Sequence, residues 1–127
     1  MLLAGLVLAA VAGAVHVFIF YLESVAWTTP RARAVFGTTE QQAVVTKELA
    51  YNQGFYNLFL AIMVFLGIAL VAAGQRAVGC TLVLAGAGSM AAAATVLFLS
   101  APDKRGAAIR QGAIPLLGVI ALTAGLA

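Results

Sequence analysis

A bundle of four membrane-spanning helices is the fold this sequence predicts, and three observations predict it. Of 127 residues, 64% are hydrophobic and only 9% charged, whereas a soluble domain commonly carries about a quarter charged residues. Mean hydropathy is +1.08, so lipid must be the solvent for most of the surface. Four spans of about 20 residues each nearly exhaust the chain. A single transmembrane domain covering residues 1–127 follows, all-α, with spans at about 1–27, 46–74, 77–99 and 108–126. No room remains for a soluble catalytic domain, so any chemistry belongs inside the bundle or at its mouth.

The first apolar segment runs from Met1 to about Trp27. Small residues at Ala12-Gly13-Ala14 imitate a signal-peptide cleavage site. A basic n-region is absent, however, and the apolar run continues through Val17-Phe18-Ile19-Phe20-Tyr21-Leu22, which reads as an uncleaved first span. Next, Thr29-Pro30 places a cap residue before proline and Gly37 can end the short helix so begun. This predicts a short interfacial helix in the first loop. Thr39 with Gln42 three residues on forms a capping box, opening a helix that should run unbroken through Lys47 and Glu48 to about Gly74. Gln75-Arg76 turns the chain into the third span. Ala101-Pro102-Asp103-Lys104-Arg105-Gly106 breaks it again before the fourth.

The net charge of +3 and the pI near 9.5 carry little weight for nucleic acid, because the few basic residues flank apolar segments rather than form a face. They report topology instead. Arg31, Arg33, Lys47, Lys104, Arg105 and Arg110 belong to the first and third loops and their flanks, against Arg76 alone in the second. The bias places the first and third loops in the cytoplasm and both termini outside. The lone Cys80 can form no intrachain disulfide and reads as a buried small hydrophobe. No metal cluster, phosphate loop or nucleophile elbow is present, and no cofactor is implied.

Polar groups are costly inside a span, so their positions carry information. His16 and Glu23 lie seven apart, about 20° from one another around a helix and about 10 Å apart along it. Gly5, Ala9 and Gly13 share that broad face as a small-xxx-small track, so it should point into the bundle. Asn52, Gln53, Tyr56 and Asn57 spread over roughly 140° of the second span, opposite Phe55, Leu58, Phe59 and Ile62, which suit lipid. The fourth span adds Arg110 and Gln111, with Pro115 one turn deeper. All of these fall in the half of the membrane nearer the first and third loops. The third span offers only Thr81, Ser89 and Thr95, whose hydroxyls can bond their own backbone, while Gly86, Gly88 and Ala91 to Ala94 suggest tight packing.

The plain reading is that these groups bond one another and fix helix register, with Glu23 and Arg110 as an interfacial ion pair and Trp27 and Tyr21 as interface anchors. The functional reading makes His16 and Glu23 candidate acid/base groups, with Asn52, Gln53, Tyr56, Asn57, Arg110 and Gln111 orienting a small or lipidic ligand.

The order His16, Leu22-Glu23, Trp27-Thr28-Thr29-Pro30, Phe36-Gly37, Asn52-Gln53-Gly54-Phe55-Tyr56-Asn57, then Gln111-Gly112 and Pro115 resembles the bacterial membrane family known as domain of unknown function 1304. The match spans nearly the whole chain, and the Asn-Gln-Gly-x-Tyr-Asn run is its most specific part. The resemblance implies a small multi-pass inner-membrane protein and no particular activity. Three classes of function remain: a binder or enzyme for a small or lipidic molecule reached from the cytoplasmic leaflet, a transporter or channel acting as an oligomer, and an accessory subunit holding a membrane protein partner or a second copy. A transport path needs polar groups through both halves of the membrane, and the outer half here is almost entirely Ala, Gly, Val, Leu and Ile.

Overall fold

The computed structural model describes residues 1–127 and is built of helices alone. Helix α1 spans Leu2–Phe20 and continues into a π-helical turn at Tyr21–Val25. Two short helices follow, α2 (Pro30–Phe36) and α3 (Glu40–Val45). The remaining long helices are α4 (Lys47–Ala72), α5 (Arg76–Ser100) and α6 (Arg105–Ala124), the last entered through a 3-10 turn at Pro102–Lys104. Four helices are thus long and apolar enough to cross a membrane, with mean hydropathy from 1.5 to 2.5 over their richest stretches. Their outward faces carry exposed Val7, Val11, Phe59, Ile62, Leu66, Leu116 and Ile120, an apolar belt that water would not tolerate. The chain is a multi-pass membrane protein.

Local signals set the short elements. Thr29 caps α2 by accepting from the Ala32 N–H, Pro30 opens the helix, and Gly37 ends it in the left-handed region at φ 65°. Thr39 and Gln42 form a reciprocal capping box at the start of α3. The helix expected to run unbroken from that cap into the second span is instead interrupted at Thr46, where ψ opens to 6°. The cause is local: the Thr46 hydroxyl donates back to the Gln42 carbonyl at 2.6 Å, a bond that bends helices, and its oxygen accepts from the Trp27 indole N–H at 3.1 Å.

Around the bundle, α1 packs against α4 and α6, and α5 packs against the same two helices. Helices α4 and α6 therefore face each other across a diagonal. The core is made of small side chains, Ala9, Ala12, Ala61 and Ala87 among them, with Val64, Val83, Met90, Leu122 and the buried Cys80. Away from the first and third loops the backbones come very close. A Cβ on Gly5 would lie 2.5 Å from the Leu122 backbone, and one on Gly67 would lie 2.7 Å from the Gly79 carbonyl. The small-residue track of α1 is buried as its spacing predicts, with Gly5, Ala9 and Gly13 all facing inward. The expectation for α5 needs correction. Gly86 and Ala94 are packed, but Gly88 faces open space and Ala92 and Ala93 are exposed, because a consecutive run of small residues necessarily wraps the helix rather than lining one face.

Candidate functional site

Towards the first and third loops the helices leave room for a cavity of about 890 Å³. It lies between the diagonal helices and draws its walls from all four long ones. His16 is its deepest polar group, only 2% exposed. Its Nδ1 lies 2.9 Å from the Ala12 carbonyl oxygen. A carbonyl can only accept, so Nδ1 carries a proton, and in the neutral ring Nε2 is then the acceptor. No protein group bonds that Nε2.

Glu23 sits in the π-helical turn, where the Ala26 N–H reaches back five residues to the Tyr21 carbonyl at 3.0 Å. Such single wide turns recur at functional positions, and this one sets the direction of a half-buried carboxylate. Asn57 donates to Glu23 Oε2 at 2.7 Å from across the α1–α4 interface. The approach that permits this bond depends on Gly54, where any Cβ would collide with the Ser24 hydroxyl. Ser24 in turn donates to the Tyr51 carbonyl at 2.8 Å. The other Glu23 oxygen has no hydrogen-bond partner in the protein.

The rim is supplied by the loops. Trp27, held by its bond to Thr46 and packed on Phe36 with ring centroids 5.2 Å apart, walls one side. Phe36, Gly37 and Thr38 cross the mouth, and Lys104 reaches over from the third loop to donate to the Phe36 carbonyl at 3.0 Å. Asp103 lies 3.8 Å from the same ammonium. Thr38 contributes a buried hydroxyl with no partner. Leu49, Leu60, Met90, Leu97 and Ala107 make the remaining surface apolar.

Of the eight residues that the sequence singles out, His16, Glu23, Asn52, Gln53, Tyr56, Asn57 and Gln111 line this one cavity. Asn52 spends its amide on the Glu48 carbonyl at 3.1 Å. Gln111 stands on α6 next to a backbone irregularity, since Pro115 has no N–H for the Gln111 carbonyl. Arg110 is the exception. It is exposed, outside the cavity wall, and folds back along its own helix towards Gly106. The ion pair expected between Glu23 and Arg110 does not form. Arg110 is rotated about 100° from Gln111 around α6, and the packing of that helix turns it outward. His16 and Glu23 do not bond each other either, each having taken a different partner.

Sequence reasoning also missed wall residues. Trp27, read as an interface anchor, also builds the cavity rim, and Lys104, read as a topology marker, also ties the first loop to the third. The spacing of Thr46 from its capping box was the available signal for the helix break that receives Trp27. Nothing in the spacing pairs Lys104 with a carbonyl 68 residues away.

No curated protein and no solved structure matches this chain. The family described as "Protein of unknown function (DUF1304)" matches residues 10–123, a stretch that contains every residue named above for the cavity wall. The chain belongs to that family.

Proposed function

We propose that the cavity binds a small or lipidic molecule within the membrane, admitted from the cytoplasmic leaflet. The observation that carries this reading is the convergence of seven residues, chosen for polarity and depth, from three of the long helices on one cavity. A bundle stabilised only by interhelical hydrogen bonds would spend those groups on each other. Here the His16 Nε2, one Glu23 oxygen and the Thr38 hydroxyl are left without protein partners. Of these only the Thr38 hydroxyl is fully buried; such a group left unsatisfied costs about 1–3 kcal/mol, a cost that a ligand or ordered water removes. The orientation rests on the distribution of Lys and Arg, which favours a cytoplasmic side for the first and third loops; the family resemblance supports a bacterial inner membrane, with α2 at its interface.

If chemistry occurs there, His16 is the proton acceptor and Glu23 the second acid/base group, with Asn57 fixing the carboxylate. The two stand about 10 Å apart along α1, too far for direct transfer, so they act at different positions on one molecule.

Native mass spectrometry of the protein released gently from its own membrane tests the proposal, beside a variant carrying His16→Ala and Glu23→Gln. A discrete small molecule retained by the wild type and lost from the variant is the expected result. A bare bundle, or one retaining only a protein partner, would move the assignment to an accessory subunit.

A further inference from the structure

The charges around the cavity are not balanced. Besides the Tyr56 phenol, four ionisable side chains line it: His16, Glu23, Asp103 and Lys104. Asp103 and Lys104 sit 3.8 Å apart and offset one another at the rim, and the Lys104 ammonium is further committed to the Phe36 carbonyl. His16 spends its Nδ1–H on the Ala12 carbonyl, and in the neutral ring its Nε2 is left as an acceptor. Glu23 remains. It has a hydrogen-bond donor in Asn57 but no cation, since Arg110, the partner expected from the sequence, is turned away.

Resting on the ligand-binding reading above, we infer that the ligand is an apolar molecule bearing a primary or secondary ammonium group, seated against the Glu23 carboxylate with its N–H donors towards the free oxygen. Three features of the same wall fit that chemistry. The two unpartnered groups along α1, the free oxygen of Glu23 and Nε2 of His16, are acceptors and call for donors. Trp27, Phe36 and Tyr56 put aromatic rings around the cavity, surfaces that attract cations. Leu60, Met90 and Leu97 offer an apolar lining for the rest of the molecule. An anionic headgroup would meet the opposite: the one available cation at the rim is already paired, and the interior carboxylate would repel it.

Trp27 is the chain's single tryptophan and lines the cavity, so its fluorescence reports occupancy directly. The full chain in nanodiscs of zwitterionic lipid would be titrated with three probes of one tail length: decylammonium, decanol and decyl sulfonate. The expected result is a saturable change with decylammonium at least about tenfold tighter than with the other two, reduced to the decanol level by Glu23→Gln, which keeps the acceptor for Asn57. Equal or tighter binding of decanol or decyl sulfonate by the wild type overturns the ammonium assignment while leaving a ligand cavity in place. So does an unchanged decylammonium affinity in a folded Glu23→Gln variant. No saturable response to any probe overturns both. The wild-type comparison of headgroups decides the matter even where the variant does not fold.

Discussion

The Asn57 side chain donates to Glu23 Oε2 at 2.7 Å, joining two helices through residues 34 positions apart. This bond holds the one carboxylate of the first span in a fixed orientation at the cavity wall. Breaking it leaves a half-buried acid without its only protein donor. Asn57→Ala and Glu23→Ala should each lower stability, and a double-mutant cycle should return a coupling of about 0.6–2 kcal/mol. A coupling indistinguishable from zero would show that the bond does not contribute to holding α1 against α4.

The close backbone contacts at the far end of the bundle should tolerate no added bulk. Gly5→Val and Gly67→Leu should each cost about 1–3 kcal/mol through overpacking. At Gly88, where a Cβ meets nothing within 4 Å, Ala should instead be neutral or stabilising by up to about 1 kcal/mol. Reversible unfolding in mixed detergent would rank the three, and a Gly88→Ala cost equal to that of Gly5→Val would contradict the packing described.

The first loop is anchored at two points, the left-handed Gly37 and the Lys104 bond to the Phe36 carbonyl. Gly37→Ala should cost about 1 kcal/mol, since a side chain there must adopt a positive φ. Lys104→Met should release the loop without disturbing the spans. Amide hydrogen exchange would show the effect as faster exchange confined to residues 30–46, and uniform acceleration through α4 and α5 would refute a local anchor.

Orientation has its own test. Cysteine placed at position 33 should react with an impermeant thiol reagent only from the cytoplasmic face, and cysteine at position 76 only from the other. The native Cys80 is buried and should stay silent in the parent protein. Labelling of position 76 from the cytoplasm would invert the bundle and move the cavity mouth to the opposite leaflet.

Much of this architecture was readable in the chain because its signals are local or periodic. Thr29-Pro30, Gly37 and the Thr39/Gln42 pair each specify a helix end within four residues, and all three form. The polar residues of α1 and α4 could be assembled because a group that is costly in lipid turns to the bundle or its open end, where His16 is buried and Asn52, Gln53 and Tyr56 stand exposed along the cavity. What escaped was decided by rotation and by distance. Arg110 and Gln111 are adjacent in sequence and equally polar, and only the packing of α6 selects which one meets the cavity. The break at Thr46 depends on a tryptophan 19 residues upstream, and the tie from Lys104 spans most of the chain. Trp27 shows the ambiguity most clearly, since an indole at a membrane boundary and an indole walling a cavity occupy the same position along a span.

The distribution of glycine contacts has a mechanical consequence. At the end away from the cavity α1 is pinned to α6 at Gly5 and α4 to α5 at Gly67 and Gly79, whereas at the cavity end the α1 extension is pinned to α4 at Gly54 and α5 to α6 at Gly112. The pairs joined at one end are not the pairs joined at the other, so the four helices form a closed frame in which no neighbour can swing freely from the next. A substitution at any of these glycines pushes two helices at once and should alter the width of a cavity that it never touches.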